Sequence, residues 1–242
     1  MIELRYKLSP WHVWRISHYY RFAVCCTPRC GSQSVMRWFA ELEKPQHVWA
    51  ADGDYLTKRQ RRKVCHEYTT FALIRDPWSR MVSAYLGKIV RHQRLGNCHP
   101  LISAVQELTG RAYDLEAGIT FRQFVIGTRI FTDDHWRPCV DFLEYPPALT
   151  CTPVELPDMI ANVTVRCQMP VVPLPRDNVV EYGDPLPGAA DAEPQFLREL
   201  SAFPAWQSFY DDALADEIAE RYKEDINRFG LSWQLAIEGK QR

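Results

Sequence analysis

The sequence lacks several features that would assign a protein quickly to a class. No run of 18 or more apolar residues occurs in the 242 residues, so there is no candidate for a membrane-spanning helix. The first 20 residues carry charges and histidines throughout and have no apolar signal core, so we expect a cytoplasmic protein. A net charge of -1 gives no general attraction for nucleic acid, so any anion binding must come from local clusters of charge.

The eight cysteines lack the spacing of a metal site. None of them forms a CxxC pair of the kind that binds zinc, and the sequence shows no other cluster of metal ligands. Cys25, Cys26 and Cys30 occur where a buried strand and a turn are predicted, which favours reduced thiols. We therefore predict no metal site.

The order of apolar segments predicts an α/β protein. Apolar residues make up 46% of the chain, enough for a sizeable core, and we expect residues 1–242 to form a single domain. Strands are predicted from about Tyr20 to Cys26 and in the run TTFALIR, each followed by a segment with helical spacing. This alternation predicts a three-layer fold with a central parallel sheet flanked by helices.

The remaining elements are predicted from periodicity and from capping residues. Helices are expected at about Ser34 to Leu42, at Lys58 to Glu67, from Asp76-Pro77 to about Arg91, in pieces between His99 and Ile130, and from Asp211 to Phe229. The Pro-rich region from Pro138 to Pro194 shows one predicted strand, Val163 to Cys167. We expect the aromatic N-terminal segment to pack on the surface of the protein.

The stretch CCTPRCGSQS, which follows the first strand, has the form of an anion-binding loop. Free backbone amides at the start of the next helix would point at one spot, where the helix dipole favours negative charge. They belong to a run of small and polar residues, Cys30, Gly31, Ser32, Gln33 and Ser34. Arg29 adds a permanent cation. The loop lacks the Lys of a nucleoside triphosphatase loop. Taken alone, a structural turn with an exposed arginine explains it equally well.

A second stretch, FALIRDPWSRMVSAYLGK, places Arg75 at the end of the next strand and Ser83 two turns into the helix that follows. These two side chains could hold a second anion beside the first loop, because parallel strands end at the same edge of a sheet. Taken alone, Arg75 could equally pair with Asp76 or a nearby carbonyl, with Ser83 as an ordinary helical residue.

Together the two stretches resemble a known family. PRCGSQS resembles the 5′-phosphosulfate loop of sulfotransferases, and RDPWSRMVSAY resembles their 3′-phosphate motif. The resemblance implies a P-loop-like fold and the donor 3′-phosphoadenosine 5′-phosphosulfate, with adenosine 3′,5′-bisphosphate (PAP) as product. It also implies that the donor is bound by Arg29, Cys30, Gly31, Ser32, Gln33, Ser34, Arg75 and Ser83.

Further segments resemble the carbohydrate sulfotransferases of family 2, the HNK-1, chondroitin and dermatan type. DDHWRP, residues 133–138, is similar to their HWRP element, and LPRDN, residues 174–178, is a weak match to a later segment. The resemblance covers roughly residues 19–230 and implies a glycan or a small metabolite as acceptor. Arg29 stands where this branch usually has Lys, whereas tyrosylprotein sulfotransferases carry Arg, so a tyrosine acceptor stays open.

Transfer to a hydroxyl group needs a base for the departing proton. Relatives of this type use His or Glu, and the candidates here are His47, in the loop between the two motifs, and His135, in HWRP. Asp52 and Asp54 are the alternatives. Arg29 suits an electrostatic clamp better than an acid, because a guanidinium does not readily give up its proton.

Other classes of function stay open at this point. A non-catalytic module that binds the nucleotide or an anionic polymer would carry the same loops, and a kinase is disfavoured by the missing lysine. The basic run Lys58 to Lys63 is interpreted as a solvated helix face, although it could guide an anionic acceptor. We expect no nucleic-acid partner. The acceptor and the oligomeric state are not determined by the sequence.

Overall fold

The computed structural model describes residues 10–44, 51–91, 95–110, 118–177 and 180–238. Its centre is a five-stranded sheet of order β3-β1-β2-β4-β5. The strands are β1 Trp14–Ser17, β2 Phe22–Cys25, β3 Ala51–Asp52, β4 Thr69–Leu73 and β5 Leu149–Cys151. The helices are α1 Ser32–Glu43, α2 Lys58–Glu67, α3 Pro77–Tyr85, α4 Leu95–Thr109, α5 Phe121–Gly127, α6 Leu156–Arg166, α7 Pro194–Glu199, α8 Asp212–Arg221, α9 Lys223–Phe229 and α10 Trp233–Ile237. None of these helices is long and apolar enough to cross a membrane.

The parallel part of the sheet places the two motif-bearing strands side by side. β2 pairs with β4 in parallel register, with Phe22 opposite Thr69 and Cys25 opposite Ala72. β4 pairs in parallel with β5 on its other side. The loops that follow β2 and β4 therefore leave the sheet at the same edge, which is where α/β proteins bind ligands.

Alternation along the strands gives each face of the sheet its own core. Phe22 and Val24 pack with α1 and α6, whereas Ala23 and Cys25 face α2 and the N-terminal segment. All these strand side chains are fully buried, as expected for a sheet covered on both faces. The predicted α/β class, with a central sheet flanked by helices, is confirmed.

Residues 14–17 of the N-terminal segment form a strand of the sheet, so the prediction that the segment packs on the surface was wrong for the part that the structure describes. β1 pairs antiparallel with both β2 and β3, which makes the sheet mixed. Trp11 and Trp14 are almost fully buried and stack with ring centroids 4.8 Å apart. Trp14 also donates from Nε1 to the carbonyl of Phe142 at 3.1 Å. Burial of two indole rings holds a strand only four residues long in place.

The strand predicted at Val163 to Cys167 was wrong, because these residues belong mostly to α6. Val163 and Val165 alternate with polar residues and belong to a β-branched run, as in a strand, which explains the error. In the helix, Leu156, Ile160 and Val163 share the buried face, while Val165 is exposed. Burial of one helical face, at the spacing of 3.6 residues per turn, against β2 and α1 therefore outweighs the local strand propensity.

Two predicted helices are also interrupted. The segment predicted from Asp211 to Phe229 consists of α8 and α9, with a break at Tyr222. The α3 helix ends at Tyr85 and continues as a π-helical turn, Leu86–Arg91, which we call the π turn. Such turns are rare and frequently occur at functional sites. The π turn borders the arginine cluster described below.

Glu43, near the end of α1, is a buried carboxylate that stability measurements can test. It is 5% exposed, and neither carboxylate oxygen has a hydrogen-bond partner among the described residues. Burial raises its pKa, an effect that nearby Ser17 and His18 oppose only in part. A raised pKa in the folded state means that stability falls as the pH rises above the unfolded-state pKa of about 4.3.

We expect Glu43→Gln to increase the free energy of unfolding by roughly 1 kcal/mol at neutral pH, because the amide removes a buried charge. The gain should vanish at about pH 4, where the unfolded-state carboxyl is largely protonated. Urea unfolding at both pH values measures it. Glu41→Gln on the exposed side of the same helix is the control and should change stability little. A Glu43→Gln variant no more stable than the wild type at neutral pH would contradict this account.

Candidate functional site

The loop between β2 and α1 turns sharply at the carboxyl edge of the sheet. Arg29 and Gly31 both adopt left-handed backbone conformations, with φ of 66° and 84°. The amide of Cys30 donates to the carbonyl of Thr27 at 3.2 Å, closing the turn. Gly31 is the N-cap of α1 and supplies no side-chain cap, and the amides of the first helical turn have no acceptor within the helix itself. Positive charge from the helix dipole adds to them.

The Arg29 side chain crosses from this loop to the helix that carries the second motif. Its Nη2 donates to the carbonyl of Ser83, and its Nε is buried without a partner in the described part of the chain. The guanidinium lies against Gly87 of the π turn. A Cβ atom at Gly87 would lie 2.1 Å from Arg29 Nη2, so only glycine leaves room for the guanidinium in this position.

Arg75, at the end of β4, contacts the same loop from the other side. Its Nη1 donates to the backbone carbonyl of Arg29 at 3.2 Å, and its Nε donates to Ser79 Oγ at 2.8 Å. The Ser79 hydroxyl in turn donates to Asp76, the N-cap of α3. The two stretches singled out in the sequence are therefore in direct contact.

Three arginines interact electrostatically here, and the carboxylate of Asp76 is linked to Arg75 through the Ser79 hydroxyl. None of Arg29, Arg75 and Arg91 forms an ion pair with a carboxylate in the ranges that the structure describes. Burial, together with the charges of Arg75 and Arg91, lowers the pKa of Arg29 to about 10. Arg29 remains a cation at neutral pH. Like charges held together in a partly buried site favour the binding of an anion.

Tyr182 adds a hydrogen-bond donor to the arginine cluster. Its hydroxyl oxygen is buried and makes no hydrogen bond of normal geometry within the described residues. Burial raises its pKa, and the nearby charges of Arg75 and Arg29 oppose this shift. Two backbone hydrogen bonds hold this segment against Phe203. The amide of Gly183 donates to the carbonyl of Phe203 at 2.7 Å, and the amide of Phe203 donates to the carbonyl of Glu181 at 3.2 Å. Tyr182 therefore presents a neutral hydroxyl beside the two guanidinium groups.

Arg80 fixes the loop from below. It is 2% exposed and donates to three backbone carbonyls, those of Pro28 at 3.1 Å, Asp134 at 3.2 Å and Arg137 at 2.6 Å. Burial acts to lower the pKa of Arg80, but the nearby acidic groups of Cys139, Cys30, Tyr222 and Asp225 raise it above its usual value. One buried guanidinium thus ties the anion loop to the DDHWRP segment.

The other predicted loop residues differ in what they offer. Ser32 and Gln33 are at least partly exposed on the first turn of α1. Ser34 is buried, and its hydroxyl accepts from the amide of Asp177 at 3.1 Å. Cys30 is fully buried, with its thiol directed to the carbonyl of Pro28 at 3.6 Å. Its contribution to a ligand would therefore be steric or through the backbone.

Of the four candidate bases, the structure describes the side chain of His135 alone. His47 lies outside the described residues, and so do the side chains of Asp52 and Asp54. His135 is partly exposed, and its Nδ1 lies 2.5 Å from Asp133 Oδ1. Asp133 also accepts from the backbone amide of His135 at 2.9 Å. Among the described residues, no three His, Cys, Asp or Glu side chains form a group that could hold a metal ion.

Sequence reasoning missed three residues of the site. Arg80 belongs to the motif RDPWSR, so its presence was visible, but its carbonyl partners are 52 to 57 residues away. For Arg91 the sequence predicts only the end of a helix, with no indication of the π turn that carries it. Tyr182 lies in the irregular Pro-rich region, where no periodicity marks it.

We expect Arg80→Met to lower the free energy of unfolding by about 3 kcal/mol, because three carbonyls lose a charged donor. Denaturant titration measures the change. Arg37→Met is the matched control, since the Arg37 side chain is 71% exposed and pairs with Asp177 on the surface. Its loss should stay below about 1 kcal/mol. Equal losses in the two variants would show that Arg80 does not anchor the loop.

Comparison with known proteins supports the resemblance to sulfotransferases that the two motifs indicate. A model of the sulfotransferase family matches residues 12–152, more than half of the chain and a range that contains Arg29, Arg75, Ser83 and His135. No curated protein and no solved structure matches the chain significantly. The chain belongs to the sulfotransferase family.

Proposed function

We propose that the protein transfers the sulfuryl group of 3′-phosphoadenosine 5′-phosphosulfate to a hydroxyl group of a carbohydrate or a small metabolite, with release of adenosine 3′,5′-bisphosphate. The observation that carries the proposal is the cluster of Arg29, Arg75 and Arg91, none of which forms a direct ion pair with a carboxylate among the described residues. A donor with an anionic group at each end would supply the missing negative charge. Membership of the sulfotransferase family supports this choice of reaction.

The two ends of the donor are assigned to two groups of residues. Arg29 and the first-turn amides of α1 would bind the phosphosulfate, because they combine a cation with hydrogen-bond donors at a helix N-terminus. Arg75 and Ser83 would bind the 3′-phosphate. Tyr182 interacts electrostatically with both Arg75 and Arg29. Its hydroxyl group would donate a hydrogen bond to a phosphate oxygen.

Catalysis would rest on positioning and on charge stabilisation. In sulfuryl transfer the acceptor oxygen forms a bond to sulfur while the bond between sulfur and the phosphate oxygen breaks. By analogy with phosphoryl transfer, negative charge spreads over the peripheral and departing oxygens. Arg29 would stabilise this charge and would stay protonated throughout, given its pKa of about 10. His135 is proposed as the base because its ring contacts Asp133, and His47, Asp52 and Asp54 are the alternatives.

A non-catalytic nucleotide-binding module is the alternative, since the same arginines would hold a nucleotide without turnover. Arg29 also leaves a tyrosine acceptor open. Incubation with labelled donor and a panel of glycans, metabolites and tyrosine peptides separates these possibilities. Labelled product from a glycan or metabolite supports the proposal, labelled peptide would shift the acceptor class, and donor binding without any product would favour the module.

We expect Arg75→Ala to weaken the binding of adenosine 3′,5′-bisphosphate by about 10- to 100-fold, because a charge-assisted hydrogen bond contributes about 1.5–3 kcal/mol. Isothermal titration calorimetry measures the affinity. Arg166→Ala is the control, since Arg166 is exposed at the far end of α6. An unchanged affinity in the Arg75 variant would overturn the assignment of the 3′-phosphate site.

Gly87→Ala tests the position of Arg29 without altering its charge. The added methyl group would collide with the end of a flexible side chain, so we expect the guanidinium to move and the fold to survive. Turnover should fall by about tenfold or more, as a misplaced donor costs at least about 1.4 kcal/mol. In the Arg29→Ala background the same change should have no further effect. Independent losses from the two changes would contradict this reading.

A further inference from the structure

The DDHWRP segment holds the His135 ring in a defined orientation. Asp133 Oδ1 lies 2.5 Å from His135 Nδ1 and accepts from the His135 backbone amide at 2.9 Å. The carbonyl of Asp133 accepts from the amides of Trp136 at 3.1 Å and Arg137 at 2.9 Å. Trp136 is 5% exposed, and its Nε1 donates to the carbonyl of Phe131 at 2.9 Å. The turn is therefore fixed on both sides of His135.

This turn lies next to the anion loop. The guanidinium of Arg80 donates to the carbonyl of Pro28, which precedes Arg29, and to the carbonyl of Asp134, which precedes His135. The π turn approaches from a second direction. Its Lys88 is close enough to lower the pKa of Asp133, together with the larger effect of the His135 hydrogen bond, while burial opposes the shift. The neighbouring Gly87 contacts the Arg29 guanidinium.

We propose that Asp133 is a positioning residue for His135, holding the hydrogen on Nδ1 so that the unprotonated Nε2 accepts the proton of the acceptor hydroxyl. Nδ1 is committed to Asp133, which leaves Nε2 as the nitrogen able to act as base. As the oxygen–sulfur bond forms, the hydroxyl proton moves to Nε2, and the Asp133 carboxylate stabilises the resulting imidazolium. The proton then passes to solvent. The same division of roles orients histidine bases in hydrolases. This inference rests on the proposed sulfuryl transfer.

The neighbouring pair His12 and Asp134 provides a matched control. Asp134 Oδ2 lies 2.8 Å from His12 Nε2, and its other oxygen is 3.8 Å from Arg137. The two aspartates are adjacent in sequence, and each pairs with one histidine. Asp134→Asn therefore makes the same chemical change one residue away, without touching the contact between Asp133 and His135.

The first experiment determines the His135 tautomer by ¹⁵N NMR with labelled histidine, at a pH where the ring is neutral. We expect the Nδ1–H form in the wild type and in Asp134→Asn, and a shift toward the Nε2–H form in Asp133→Asn. A wild-type ring that carries its hydrogen on Nε2, or identical spectra in the three proteins, would overturn the proposal. This readout does not depend on turnover, so it stands apart from the fate of the proposed function.

The second experiment measures turnover and donor binding in the same variants. We expect Asp133→Asn to lower kcat by about 100-fold, within the range of a general base, with the affinity for adenosine 3′,5′-bisphosphate unchanged. Asp134→Asn should stay within about twofold of the wild type. In the His135→Ala background, Asp133→Asn should add no further loss. Additive losses, or a loss of bisphosphate affinity equal to that of turnover, would assign Asp133 a structural role instead.

Discussion

Burial of the Arg29 guanidinium close to the charges of Arg75 and Arg91 is the constraint on which the site depends. The cluster has no ion-pair partner in the described part of the chain, and burial lowers the pKa of Arg29 to about 10. Holding these charges together costs free energy in the protein without ligand. An anion bound among them would recover that cost as binding energy. Before an anion binds, the stability of the surrounding fold keeps the three arginines together.

The surrounding fold supplies this support through buried contacts that reach across the chain. Parallel pairing of β2 and β4 brings the Arg29 loop and Arg75 to one edge. Arg80 then fastens the loop to the DDHWRP segment by three carbonyl contacts. The carboxylate of Asp225 binds the amides of Cys139 and Val140, at 2.7 and 2.9 Å, and secures the end of that segment. The site is thus assembled on elements that buried hydrogen bonds join to one another.

The sequence predicts the parts of the site that follow from local pattern. A strand followed by a helix occurs twice, first with the small-residue loop CCTPRCGSQS between them and then with Arg75-Asp76-Pro77, so the sequence places Arg29 and Arg75 at one sheet edge. Tyr182 could not, because only the backbone pairing of an irregular segment with Phe203 brings it to the cluster. The β-branched run at Val163 was misread as a strand, since its helical face is defined by packing against the sheet rather than by propensity.

The most direct test of the central claim is a crystal structure of the protein with adenosine 3′,5′-bisphosphate. We predict one phosphate against Arg29 and the first turn of α1, and the other against Arg75 and Ser83, with the Tyr182 hydroxyl within hydrogen-bonding distance of a phosphate oxygen. A nucleotide bound away from Arg29 and Arg75 would contradict the account, because these two arginines would then not be the groups that bind its phosphates.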